Sequence, residues 1–241
     1  MTNALSLSNL SFSVSDVDIL NALNLEIPTH SYFAIAGVNG AGKSTLIKLI
    51  LDLIRPTSDS EIKIFGQQNR AVGSRDQLAY LPEKFDVKKA VSGWQYLNFV
   101  IYIYKMSLDR GVACELAEKL DFPPERLKSK IGSYSKGMVQ KLGLISCFIL
   151  NRKLLILDEP LSGLDPRARY HFKQLLQDER QKGTTIFYST HLLADAEDIC
   201  DQFGILHQGE MKFIGTPAEC LQSYAVDSLE HAYMRCISTT D

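Results

Sequence analysis

The chain of 241 residues has no surplus of charge: 26 basic residues against 28 acidic ones leave a net charge of −2. That excludes nucleic-acid binding through bulk positive charge. Cysteine is sparse and scattered (Cys114, Cys147, Cys200, Cys220, Cys236), with no C-x-x-C pair and no zinc-ligand spacing. A zinc module is thereby excluded, and reduced thiols in a cytosolic protein are expected. Long apolar runs are missing too. The most apolar stretch, Trp94 to Tyr104, is about half the length a membrane-spanning helix requires. The opening MTNALSLSNL shows no basic region followed by an apolar stretch, so no signal peptide is expected. No internal repeat or low-complexity linker is visible. Such a chain does not itself cross a membrane. If it serves one, a separate chain supplies the pore.

Apolar residues make up 45% of the chain and charged residues 22%, which is ordinary for a folded domain with a buried core. LSLSNLSFSV, from Leu5, alternates apolar and polar like a half-buried strand, and Leu23, Leu25 and Ile27 suggest a second. Tyr32 to Ala36 is a continuous apolar run, the profile of a strand buried on both faces. After Lys43, the spacing of Leu46, Ile47, Leu49, Ile50 and Leu53 predicts a helix, so residues 32–54 read strand, glycine loop, helix. Residues from about 84 to 150 read as mostly helical. KLLIL (Lys153 to Leu157) and TTIFY (Thr184 to Tyr188) are again buried-strand runs. Phe203 to Leu206 and Met211 to Ile214, joined through Gln208-Gly209, read as a hairpin. Thr216-Pro217 supplies an N-cap and first-turn proline for a terminal helix. The expected class is α/β, a parallel sheet with helices on its faces. Gly37, Asp158 and His191 each follow an expected strand, so three distant regions point to one edge of one sheet, where such folds place their sites.

Residues 37–44 read GVNGAGKS and fit the G-x-x-x-x-G-K-[ST] pattern. Gly37, Gly40 and Gly42 let the backbone turn tightly and approach a ligand. Their N–H groups then form an anion-binding nest, with the positive end of the next helix aimed at it. Lys43 supplies a mobile charge for β- and γ-phosphates, and Ser44 a hydroxyl for Mg²⁺. The binding stretch, taken as residues 37–45, includes Asn39, Ala41 and Thr45. The plain alternative is a glycine turn that fits by accident. At ordinary residue usage that happens in roughly one chain in a hundred of this length, and the flanking strand and helix make it rarer.

LLILDE (Leu154 to Glu159) ends a buried strand in two acids. Asp158 can hold Mg²⁺ through water, and Glu159, pointing to the other side, can polarise an attacking water as general base. Two acids capping a strand before Pro160 are otherwise unremarkable. The nearby phosphate loop turns the balance toward catalysis.

With these residues in view the chain resembles the nucleotide-binding domain of the ABC ATPases, and the resemblance covers nearly all of it. YSKGMVQK (Tyr134 to Lys141) resembles the family's signature, usually written LSGGQ. Ser162-Gly163-Leu164-Asp165 is similar to the D-loop, and His191 after Ser189-Thr190 resembles the switch histidine. The YSKGM variant and the short ending SLEHAYMRCI look like stand-alone subunits of the ABC-2-type exporter group. The resemblance implies a P-loop NTPase core, an antiparallel β subdomain at the N-terminus and an inserted helical subdomain over about 84–150. All of this lies within one ABC ATPase domain spanning 1–241. It implies ATP and Mg²⁺ as ligands and two copies, identical or different, meeting head to tail. Ser135 and Gly137 of one would close over the γ-phosphate held by Lys43 of the other. Catalysis would fall to Lys43, Glu159 and His191, and Mg²⁺ to Ser44, Asp158 and Glu83. A separate transmembrane permease is the implied partner, nucleic acid is not, and the implied location is cytoplasmic and peripheral on the inner face of the cell membrane. Taken alone, YSKGM is an ordinary helix N-cap and His191 an ordinary packed or solvated histidine.

Two places depart from the family pattern. Glu83, in Leu81-Pro82-Glu83, stands where the Q-loop usually has glutamine; a carboxylate also binds Mg²⁺ but adds negative charge near phosphates. Val14 stands where an aromatic often stacks on adenine, and Phe12, two residues earlier on one strand face, is expected in the core. Weak base stacking and loose ATP/GTP selectivity follow. Trp94, Tyr96, Phe99, Tyr102 and Tyr104 lie all round a helix-like span. Core packing accounts for most of them, and the resemblance implies that part of Phe85 to Tyr104 lines the groove that receives the permease's coupling helix. Non-transport ABC ATPases usually carry two domains, coiled-coil insertions or zinc motifs, none of which is visible. Intact Lys43, Asp158, Glu159 and His191 argue against a catalytically silent subunit.

Overall fold

The computed structural model describes residues 2–57, 59–84 and 87–238. Phe85, part of the expected partner surface, lies outside the described residues. The first half runs β1 (Asn3–Val14), β2 (Val17–Pro28), β3 (Tyr32–Ala36), α1 (Lys43–Ile50), β4 (Glu61–Ile64), β5 (Gln67–Gln68), β6 (Leu78–Leu81), α2 (Gly93–Ile103) and α3 (Arg110–Lys119). Then come α4 (Lys136–Phe148), β7 (Leu154–Leu157), α5 (Pro166–Gln181), β8 (Thr185–Thr190), α6 (Leu193–Ile199), β9 (Gln202–His207), β10 (Glu210–Gly215), α7 (Pro217–Tyr224) and α8 (Leu229–Ser238).

The strands form two sheets. One is antiparallel, in the order β2-β1-β4-β5, at the N-terminal end of the chain. The other is ordered β10-β9-β3-β8-β7-β6, parallel except for the β9–β10 hairpin. β3, β7 and β8 are buried at every residue, as their continuous apolar runs require. Residues of β3 alternate between two cores: Phe33 and Ile35 pack with the antiparallel sheet and α1, while Tyr32, Ala34 and Ala36 pack with the helices on the other face. Between residues 84 and 150 lie α2, α3 and α4 with two short 3₁₀ turns, and no strand among the described residues.

Local chemistry fixes most ends. Ser92 and Gln95 form a capping box on α2, and Thr216 and Glu219 form one on α7. Gln208 and Gly209, with φ of 47° and 77°, make the two-residue turn of the β9–β10 hairpin. α1 is shorter than its apolar stripe suggests. It stops at Ile50, Asp52 turns into the left-handed region at φ 57°, and the Leu53 N–H returns to the Lys48 carbonyl at 2.9 Å. Leu53, counted in the stripe, is consequently exposed. β4, β5, β6 and α8 had no clear sequence signal. The parallel sheet carries the carboxyl ends of β3, β7 and β8 side by side, and the site grows from that edge.

Candidate functional site

β3 delivers the chain to Gly37, whose N–H donates to the Thr190 carbonyl at 3.3 Å, pinning the loop's start to the end of β8. A Cβ on Gly37 would lie 2.4 Å from the Leu206 carbonyl oxygen, so no other residue fits. Gly42 has φ 107° and leaves only 2.6 Å between a built Cβ and Leu20 Cδ2. It begins α1 without any side-chain cap, so the helix's first N–H groups keep their donors for a ligand. Asn39, Gly40, Gly42, Lys43, Ser44 and Thr45 line a cleft of about 650 Å³. Ala41 departs from the expected pattern: its side chain turns into the core, and its N–H is taken by the Val38 carbonyl at 3.2 Å.

Lys43 is buried over this loop. Its Nζ donates to the Gly37 carbonyl at 2.6 Å and the Val38 carbonyl at 3.3 Å, and stands 3.5 Å from Glu159 Oε1. Glu159 is buried as well, and its other carboxylate oxygen is 2.7 Å from His191 Nδ1. The three residues assigned to catalysis from sequence thus form one chain of contacts at the mouth of the cleft. Glu159 has φ 51°, an uncommon conformation for a residue with a side chain. Its N–H donates to Ser189 Oγ at 2.8 Å, and the Ser189 hydroxyl donates to Asp158 Oδ1 at 2.5 Å. One serine therefore orients both acids. From the sequence alone Ser189 is only a neighbour of His191. Its place two residues before that histidine, at the end of a buried strand, was the available signal.

Burial pushes the Asp158 carboxyl above the usual aspartate range, against the Ser189 and Ser44 hydroxyls, which pull it down; the Glu83 and Glu159 charges push it further up. The Tyr80 phenol is pushed up to about 12 by burial, then by the charges of Asp158 and Glu83. Ser44 and Glu83 therefore stand close enough to Asp158 to act on its carboxyl, and all three offer oxygen donors. The folded protein binds the Asp158 proton more tightly than the unfolded chain does. Stability therefore falls as pH rises from the usual aspartate range through the raised folded value. Asp158→Asn is expected to melt higher than the unsubstituted protein at neutral pH without ligand. That advantage should vanish in acid while hydrolysis is lost at all pH values. Calorimetry across pH with a phosphate-release assay checks it; a lower melting temperature at neutral pH would contradict the assignment.

Other expected residues lie elsewhere. Ser135 caps α4, its Oγ accepting from the Met138 N–H at 3.2 Å, and Gly137 sits against the Gly163 carbonyl. Neither lines the cleft within one chain. Val14 is half exposed and Phe12 packs against the core beside the antiparallel sheet, while Ile19 from β2 lines the cleft. Lys84 and Ser162 also line it, and neither was named from sequence as a ligand. Among the described residues lining the cleft, only His191 carries an aromatic ring.

A family model described as ABC transporter matches residues 20–162, spanning the loop, the acids and part of the D-loop segment. The chain belongs to the ABC transporter family. An uncharacterised ABC transporter ATP-binding protein of Nostoc, all4389, is 33% identical over 85% of this chain and 62% of its own length. The chain therefore spans about three fifths of that relative. The linearmycin resistance ATP-binding protein LnrL of Bacillus subtilis is 29% identical over 88% of this chain and 68% of its own. A solved ATP-binding subunit of an ABC transporter superposes with TM-score 0.88 at 31% identity, covering 97% of this chain and 99% of that one. This member of the ABC transporter family thus has the P-loop NTPase fold. Among its described residues no helix is long and apolar enough to cross a membrane.

Proposed function

We propose that this chain hydrolyses Mg-ATP as one of two ATPase subunits bound to a separate membrane permease, and that the transporter works as an exporter. The contact chain Lys43–Glu159–His191 at the mouth of the phosphate cleft carries the reading. Lys43 neutralises β- and γ-phosphate charge, and Glu159 takes the proton of the attacking water. His191 holds the γ-phosphate side, having given up its contact with Glu159. Mg²⁺ would fit the hard oxygen donors of Ser44, Asp158 and Glu83. When bound, the ion neutralises charge on the phosphates.

A second subunit is supported by the place of Ser135 and Gly137. They stand at the N-terminus of α4, a helix end suited to an anion and capped by Ser135 itself, yet outside their own cleft. A head-to-tail partner, of this chain or a different one, brings them over the phosphates. Export is supported by the name of LnrL, a resistance protein. A peripheral position on the inner face of the cell membrane follows from the permease.

The permease surface is proposed at α2. Phe99 and Tyr102 are exposed, by 60% and 80%, against the polar surface expected of an unpartnered helix. Ile103 and Tyr104, which follow Tyr102 in sequence, line a cleft of about 820 Å³ together with Leu51, Leu53, Arg75 and Tyr80. Phe99→Asp with Tyr102→Asp is expected to release the chain from membranes while ATPase activity stays within about twofold, as exposed substitutions usually allow. Membrane fractionation and phosphate release check it; full membrane retention would contradict this surface, and joint loss would mean misfolding.

A further inference from the structure

A second pocket, of about 360 Å³, lies beside the phosphate loop and is lined by Gly37, Val38, Asn39, His191, Leu193 and Tyr233. Tyr233 comes from α8, which packs on α6, the helix that follows His191. The far end of the chain therefore reaches the nucleotide site. Tyr233 is 93% buried (7% exposed), and its hydroxyl has no hydrogen-bond partner among the described residues. His207 Nδ1, at the end of β9, is in the same condition, and its ring meets that of Tyr233 edge-on with centroids 6.4 Å apart. Buried polar groups are almost always paired, so an orphaned hydroxyl needs a reason. Packing is not the reason, since phenylalanine fills the same space with no hydroxyl to desolvate. Two polar side chains share the pocket with Tyr233, Asn39 and His191, and the His191 ring is held by Glu159 at 2.7 Å.

We propose that Tyr233 is a positioning residue of the ATP site: its hydroxyl bonds His191 once bound nucleotide draws that side chain away from Glu159. The inference rests on the ATP-hydrolysing role proposed above. α8 then supports the switch histidine once nucleotide is bound. Nucleotide binding would be set by the loop and barely touched by Tyr233, whereas turnover would depend on it.

Tyr233→Phe in the full chain tests this, with steady-state Mg-ATP hydrolysis and a nucleotide-free melting curve measured on the same preparation. The expected result is a kcat lowered about three- to tenfold, the worth of one hydrogen bond, at unchanged KM, with a melting temperature equal to or above that of the unsubstituted protein. Unchanged kcat overturns the proposal. So does a melting temperature that falls, with or without kcat, because the hydroxyl would then be pairing with His207 to hold the fold. Tyr233→Ala, which removes the ring as well, gives the purely structural loss for comparison. Failure of the unsubstituted chain to hydrolyse ATP would sink the underlying role, and the proposal with it, and is read separately in the control.

Discussion

Glu159→Gln is expected to lower kcat for ATP hydrolysis by about 10²–10⁴-fold, the range a general base contributes, with Mg-ATP affinity nearly unchanged. Glutamine keeps the size of the side chain and can still accept from His191, whose Nδ1 sits 2.7 Å from the present carboxylate. It cannot take a proton from water. The backbone that aims the side chain is fixed independently: the left-handed Glu159 is held by its N–H to Ser189 and by the Ser162 N–H bonding its carbonyl at 3.0 Å. Removing the charge also frees Lys43 from the ion pair at 3.5 Å, which favours phosphate binding. Single-turnover phosphate release with an equilibrium nucleotide titration separates the two effects. A loss of less than tenfold would remove Glu159 from the role of base. A loss of binding equal to the loss of rate would make it a structural residue.

Lys43→Ala is expected to fail earlier, at binding. The ammonium is the one cation the loop itself supplies inside the cleft, and a charge-assisted hydrogen bond is worth about 1.5–3 kcal/mol, so Mg-ATP affinity should fall about 10- to 100-fold. Hydrolysis should fall further, because the lysine also offsets charge developing on the γ-phosphate. The substitution leaves Glu159 buried, 8% exposed, with only His191 as partner, so a modest fall in nucleotide-free stability is expected too. Titration calorimetry with Mg-ATP checks the first claim and a melting curve the last. Unaltered affinity would mean that the backbone N–H groups hold the phosphates without this side chain.

Much of this could be read from the chain because the relevant signals are local. GVNGAGKS is a contiguous loop, and its demands on glycine are met at Gly37 and Gly42 by contacts of 2.4 and 2.6 Å. β3, β7 and β8 are buried on both faces, so they declare themselves as uninterrupted apolar runs. Asp158, Glu159 and His191 stand out in the sequence because each follows such a run.

What escaped reading was non-local. β6 is four residues, Leu78–Leu81, too short for a period, and its identity as a strand comes from pairing with β7. Ser189 earns its place only when β7 and β8 lie side by side and its hydroxyl reaches Asp158. Ile19, not Val14, reaches the cleft because the β1–β2 turn carries Val14 outward. The end of α1 was misjudged because Leu53 keeps helical spacing in sequence, while the backbone has already turned at Asp52. Tyr233 stands more than 190 residues from the loop it flanks, a distance no sequence window spans. Ser135 and Gly137 differ from all of these. One chain does not carry them to the cleft, so the role assigned to them depends on the proposed second subunit.

The central claim is that this ATPase drives a membrane partner. It is tested most directly by tagging the chain in its native cell, solubilising membranes in mild detergent and identifying what co-purifies. The account predicts a polytopic membrane protein in stoichiometric amount, lost when Phe99 and Tyr102 are both replaced by aspartate. Recovery from the soluble fraction alone, with ribosomes, DNA or no partner, would contradict the transporter role and leave ATP binding as the surviving function.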